Sequence, residues 1–220
     1  MELKGKKVYF LGDSITQGAC VTPENIYHQV MLRKYGLAEA SNYGVGGSRF
    51  AKQTVKAWEG EPDEWDFCYR AEQMDKDADI IVIFGGTNDY GHGDAPIGTF
   101  ADRTRDTFYG ACHQLFSYLM TECTEATIVV CTPLHRYGED NVRGESGRKD
   151  KDYGPLKLYV DIIREVAEYY SIPVIDFYKN ALIQPNIEAN KLKYTQDGLH
   201  PNTLGHVLMA ERIGNFLLSY

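Results

Sequence analysis

Positive charge is scarce in this chain: 23 Lys and Arg stand against 31 Asp and Glu, a net charge of −8 over 220 residues. A surface of that sign repels phosphate backbones and anionic lipid, so neither nucleic-acid nor membrane partners are expected. Long apolar runs are missing too. The apolar stretch at residues 8–11 is shorter than the ~7–15 residues of a signal-peptide core. No stretch approaches the ~18 apolar residues of a membrane span. The five cysteines, at positions 20, 68, 112, 123 and 131, include no CxxC pair. An odd count without a secretory signal suits reduced thiols, and a cytoplasmic protein is expected. Cys112 and Cys131 sit in apolar runs and read as small buried hydrophobes.

Several catalytic signatures are also absent. There is no HExxH, no EF-hand loop, no P-loop lysine and no GxGxxG after the first strand. Neither a metal nor a nucleotide cofactor is therefore expected. The GxSxG elbow is missing as well, which disfavours the α/β-hydrolase fold. No repeat, linker or low-complexity tract divides the chain. With 43% hydrophobic and 25% charged residues, it reads as one domain spanning 1–220. Nothing in the sequence fixes an oligomeric state.

What is present is an alternation of short apolar runs with longer amphipathic ones. The runs fall at 7–11, 38–43, 79–84, 126–131 and 172–175. Three of them (VYFL, IIVIF and TIVVC) are β-branched or aromatic and nearly continuous, as suits strands buried on both faces. Helical periodicity appears over 25–35. It appears again at Phe108, Ala111, Cys112, Leu115 and Leu119, and at Leu158, Ile162, Val166 and Tyr169 after Pro155. A last helix runs from about Asn202, with Leu204, Val207, Leu208, Ile213 and Leu217 as its buried side. The pattern predicts a three-layer α/β/α, flavodoxin-like sandwich around a central five-stranded parallel sheet. Residues 53–75, which hold Trp58, Trp65 and Pro62, are expected to be helical. Residues 134–154 are expected to form a long loop, either a solvated excursion or an active-site lid.

In open parallel sheets, ligands bind beyond the carboxyl ends of the strands. Four glycine-bearing turns fall there: Gly12-Asp13-Ser14, the segment 42–48, Gly85-Gly86-Thr87-Asn88-Asp89, and Asp197-Gly198-Leu199-His200 before the last helix. Together, in this order and over residues 12–200, they resemble the four blocks of the SGNH (GDSL-type) hydrolases. The resemblance implies a serine hydrolase with Ser14 as nucleophile, Asp197 and His200 completing the triad, and Asn88 as an oxyanion donor. The residues support that chemistry directly. A serine hydroxyl needs a base, and Asp197 precedes His200 by three residues, so one turn can present both side chains to one cleft.

The backbone N–H groups of Ser14 and Gly47 are the other expected oxyanion donors, with Gly46 as the alternative to Gly47. Asp13 either braces its turn or contributes to the site, and Asp89 reads as structural. Asn42, Tyr90 and His92 are candidate substrate contacts. His28, His113 and His206 lie on predicted helices and read as structural or exposed. The family's range leaves the substrate open. The rim loops carry aromatics and hydrogen-bonding side chains such as Arg49, His92, Arg136 and Tyr137. That favours a short-chain, acetyl ester of a carbohydrate or similar polar alcohol. The two tryptophans would instead favour a lysophospholipase or acyl thioesterase if they shape an apolar pocket. From another class, a non-catalytic flavodoxin-like binding module would share the fold, but each catalytic position holds a competent residue.

Overall fold

The computed structural model describes residues 1–56, 59–62 and 64–220. Five parallel strands form one sheet: β1 (Lys7–Gly12), β2 (Glu39–Gly44), β3 (Ile80–Phe84), β4 (Thr127–Cys131) and β5 (Val174–Ile175). Their spatial order is β2-β1-β3-β4-β5. Registers such as Phe10 opposite Asn42 and Val82, and Val82 opposite Val129, align the carboxyl ends of the first four strands. The order reverses direction between β1 and β3, which is the topological switch point where such sheets bind ligands.

The period-two alternation of each strand divides the core. Tyr9, Leu11, Ile81, Ile83 and Val130 face one layer, built by α3 (Phe67–Glu72), α5 (Phe108–Glu122) and α6 (Leu156–Tyr169). Val8, Phe10, Val82, Phe84 and Val129 face the other, built by α2 (Tyr27–Tyr35) and α9 (Thr203–Ser219). The sandwich inferred from the sequence is the one observed. Among the described residues there are also four short α-helices, α1 (Ser14–Gln17), α4 (Thr87–Gly91), α7 (Phe177–Asn180) and α8 (Glu188–Tyr194), and two 3-10 turns, Pro23–Asn25 and Glu145–Gly147. Among the described residues, no helix is long and apolar enough to cross a membrane.

Several expectations are corrected. β5 has only two residues because Pro173 has no N–H to give; its carbonyl still accepts from Val130 N. Within 53–75 the described residues are helical only over Phe67–Glu72, started by the Asp66 carboxylate accepting from Tyr69 N. Upstream, Gly60 at φ +87° and Pro62 oppose a continuous helix. Trp58 lies outside the described residues. The buried stripe of α9 passes through His206, Met209, Ala210, Ile213 and Leu217, leaving Leu204 at 46% exposure. Tyr169 is likewise on the outside of α6, where Tyr159, Val160 and Ile163 make the contacts.

Two histidines are part of the core between α2 and α9. His206 Nδ1 accepts from Tyr27 N and its ring stacks on Tyr27 at 6.0 Å. His28 Nε2 donates to Thr16 O. Burial lowers both pKa values to about 4, so both are neutral in the fold at neutral pH. The unfolded chain takes up protons on them below about pH 6.5 and the folded chain does not, so this contribution to stability is lost as pH falls from about 6.5 to about 4. At pH 5 the loss amounts to about 1–2 kcal/mol for each ring. Denaturant titrations at pH 7 and pH 5 test this: His206→Gln should lose less stability on acidification than the parent chain, and an equal loss would show that His206 does not carry the effect.

Candidate active site

Ser14 is the first residue of α1, immediately after β1. Asp13 is fully buried and accepts from Ile15 N, so it starts the helix and aims Ser14 outward. Burial pushes the Asp13 carboxyl up to about 6, against the Ile15 hydrogen bond and the nearby charges of His200 and Arg70. Its position is that of a brace. The close approach of α1 to β2 requires glycine at 44, because a Cβ there would stand 2.2 Å from Gln17 N.

The turn before α9 carries the other two polar groups. A bridge between Thr195 and Pro201 and the Gln196 N–His200 O bond pinch it closed. Gly198, at φ +88°, takes the left-handed conformation that the tight turn needs. Asp197 Oδ1 accepts from the backbone N–H of Leu199 and His200. Its Oδ2 lies 2.7 Å from His200 Nδ1, and His200 Nε2 lies 3.0 Å from Ser14 Oγ. With Nδ1–H donated to the carboxylate, Nε2 is left to accept the serine proton. Burial opposes ionisation of Asp197, yet the hydrogen bonds from His200 and Leu199 prevail and hold its carboxyl below the ordinary value.

The Ser14–His200–Asp197 chain opens on a cavity of about 620 Å³ that Gly47, Asn88 and His92 also line. Gly47 takes a left-handed φ of +78°. Its N–H and that of Ser14 have no partner among the described residues, whereas Gly46 N donates to Gln17 Oε1. Of the two glycines, Gly47 thus has the free donor. Asn88 spends one amide proton on Ser48 O, leaving the second available.

His92 Nδ1 lies 2.9 Å from Arg49 Nη1, and a guanidinium can only donate, so the ring proton sits on Nε2. Burial first, and then the charges of Arg49, Arg136, Lys149 and Arg148, lower the His92 pKa to about 3. The ring is a neutral donor.

Two candidate contacts lie elsewhere. Tyr90 is fully buried, and its hydroxyl donates to Gly138 O. Asn42 is exposed, with Oδ1 accepting from Gly44 N and Nδ2 reaching Gln17 O. Neither lines the cavity. Trp65 lines a separate recess of about 140 Å³.

The long segment 134–154 forms one wall of the cavity. Tyr137 N donates to Gly198 O, Lys149 Nζ to Asp89 O, and Tyr153 Oη to Asp94 O. Arg136 is buried, bonded to Thr87 O and paired with Glu145 at 3.1 Å. Sequence reasoning gave no role to Arg70, Lys149 or Glu145. Arg70 and Lys149 bond to backbone carbonyls remote in the chain, Glu145 pairs with Arg136 of the same loop, and no local motif marks them.

A family model described as the GDSL-like lipase/acylhydrolase family matches residues 10–208. The chain belongs to that family. Solved structures agree with the fold. A protein from Lactobacillus plantarum is 28% identical with a TM-score of 0.83, covering 99% of this chain and 98% of that one. A lipase/acylhydrolase from Enterococcus faecalis is 21% identical with a TM-score of 0.64, covering 96% and 95%. An acetyl xylan esterase, AlAXEase, is 23% identical with a TM-score of 0.62, covering 96% and 99%. No curated protein matches the chain.

Asp89 sets the position of the glycine loop. Its buried carboxylate accepts from Phe50 N and Ala51 N, two residues beyond the 44–48 turn. Asp89→Ala leaves both N–H groups buried without acceptors, at a cost of about 2–4 kcal/mol. Equilibrium denaturation measures that cost; a change below about 1 kcal/mol would mean that water replaces the carboxylate.

Proposed function

We propose that this acylhydrolase is a serine esterase for short acyl groups, above all acetyl, on a carbohydrate or similar polar alcohol. The observation that carries the mechanism is the continuous Ser14–His200–Asp197 hydrogen-bond chain at the mouth of the cavity. Ser14 Oγ attacks the ester carbonyl as its proton passes to His200 Nε2. The oxygen of the tetrahedral intermediate meets the N–H groups of Ser14 and Gly47 and the free Asn88 amide proton. Asp197 stabilises the imidazolium formed in that step. His200 then protonates the departing alkoxide. Water, deprotonated by the same ring, attacks the acyl-enzyme and releases the acid.

The short acyl group follows from the lining. Tyr137 and Leu199 are the large apolar side chains there, among Asn88, His92, Arg136, Asn141 and Glu145. Each methylene of an acyl chain contributes only about 0.8 kcal/mol when it finds an apolar surface, and this wall offers no continuous one. Its polar groups suit sugar hydroxyls, and an aromatic such as Tyr137 suits a ring face. The acetyl xylan esterase among the related folds is compatible with this reading.

Ser14→Ala should lower kcat by roughly 10⁴–10⁶ while leaving the circular dichroism spectrum intact. Activity near that of the parent would overturn the mechanism. Asn88→Ala should lower kcat by roughly 10²–10³ with little change in KM, because the bond strengthens in the transition state; a change in KM alone would make Asn88 a binding residue. Across acetyl, butyryl, octanoyl and palmitoyl esters, kcat/KM should be highest for acetyl. An optimum at eight carbons or longer would refute the short-chain reading and favour a lysophospholipase or thioesterase.

A further inference from the structure

Cys20 is the exposed cysteine of this chain, and the other four are buried. It lies just beyond the short helix that begins with Ser14. Gly18 N and Ala19 N both close onto Ser14 O, and Cys20 follows at a left-handed φ of +69°. This tight turn brings its thiol to the 197–200 turn. One donor atom from each of Cys20, Asp197 and His200 lies within 4.8 Å of the others. Among the described residues, no other group of three such side chains is gathered as closely. Partial burial first, and then the Asp197 charge, raise the Cys20 pKa, which agrees with a thiol standing beside that carboxylate.

The three side chains differ in kind, and the combination is selective. A thiolate sulfur, an imidazole nitrogen and a carboxylate oxygen are ligands of tetrahedral zinc, and a water completes such a set. Magnesium and calcium take oxygen ligands and gain little from the sulfur. Zinc bond lengths of about 2.0–2.3 Å place the donors of a tetrahedral site about 3.5 Å apart. Asp197 and His200 are already held side by side: Oδ2 stands 2.7 Å from Nδ1, and Oδ1 accepts from the N–H groups of Leu199 and His200. The exposed Cys20 side chain has the room to close the remaining distance. Cys20 does not line the substrate cavity, so an ion bound to it sits on the outer flank of the Ser14–His200–Asp197 chain.

We propose that Cys20, Asp197 and His200 form an inhibitory site for a zinc ion. The proposal rests on the esterase reading above and adds a means of control to the same site. The thiol releases its proton to water and binds as the thiolate. The ion takes the lone pair of His200 Nδ1, and the proton displaced from that atom is carried on Nε2 instead. Nε2 then donates and has no lone pair for the Ser14 proton. The Asp197 carboxylate is turned from the ring to the ion. The same ring cannot serve the ion and the serine together, so zinc acts as an inhibitor and not as a cofactor.

Hydrolysis of nitrophenyl acetate and labelling by a chromogenic disulfide reagent test this on the native chain. Micromolar zinc chloride should lower kcat by roughly tenfold or more with little change in KM, because the ion binds outside the cavity. EDTA should restore the rate, and millimolar magnesium chloride should leave it unaltered. Cys20→Ala should raise the zinc concentration for half-inhibition by roughly tenfold or more, since even groups that only support a metal ligand are worth about 10–100-fold in affinity. Equal zinc sensitivity in Cys20→Ala, or zinc that raises KM alone, overturns the site. Labelling reads the site without turnover. The reagent should react with Cys20 in the folded chain, zinc should slow that reaction by roughly tenfold or more, and Asp197→Asn should lose most of the protection. Labelling that zinc does not slow overturns the site. A chain that hydrolyses no ester, yet whose Cys20 is protected by zinc, keeps the metal site and loses the esterase reading.

Discussion

The Arg70 guanidinium fixes the geometry on which the site depends. It projects from α3 beneath the carboxyl ends of β1 and β2, where strand carbonyls run out of ladder partners. Nη1 donates to Gly12 O and Ser48 Oγ, and Nη2 to Tyr43 O. One planar fork thus joins the end of β1, the end of its neighbour β2 and the turn that carries Gly47. Burial lowers its pKa to about 10, against the opposing pull of Asp13 and Asp66, so it remains charged at neutral pH. A lysine would offer a single ammonium in place of this fork and could not hold the same three acceptors in one plane.

Asp89 and Lys149 extend the same device. The Asp89 side chain holds the backbone after the glycine turn, and its carbonyl receives Lys149 Nζ from the long segment after β4. The Asn88 side chain, one residue earlier, holds Ser48 O. The 87–91 helix is therefore clamped on both sides by polar contacts with loops distant in sequence. Oxyanion donors are effective only if they are aimed before the charge develops. A loop free to reorient would spend its hydrogen bonds on water. The buried charges beneath this rim accept a desolvation cost that an apolar core would avoid, and they hold the donors in place.

The architecture was legible because it rests on local periodicity: continuous β-branched runs mark strands covered on both faces, and the turns after them locate the switch point. The polar groups around Ser14 were legible for a related reason. Asp13-Ser14 and Asp197-Gly198-Leu199-His200 are short segments whose internal spacing fixes their geometry. What was not legible depends on distant neighbours. Tyr90 and His92 are two residues apart, yet the first turns inward to Gly138 and the second opens onto the cavity. Only the packing of the 134–154 wall decides between them. The same holds for α9, where the sequence offers Leu204 and His206 as rival buried positions. The fit of Tyr27 against the ring buries the histidine.

The two histidines that line the catalytic cavity show how one rim can hold the same side chain in two chemical states. His200 sits against a carboxylate through Nδ1, an arrangement that favours positive charge on the ring. His92 sits against a guanidinium through Nδ1, so gaining a proton there would put two positive charges in contact. The first ring is left with Nε2 as an acceptor facing Ser14 Oγ, while the second keeps its proton on Nε2 and can only offer a hydrogen bond. The partner of Nδ1 differs between the two rings: Asp197 comes from the same short turn as His200, whereas Arg49 reaches His92 from the far side of the glycine loop and adds to the effect of burial. Divergent environments for identical groups are what allow a site to hold one base without a competing one beside it. Arg49 supplies part of that difference through its contact with His92, after the burial of the ring itself.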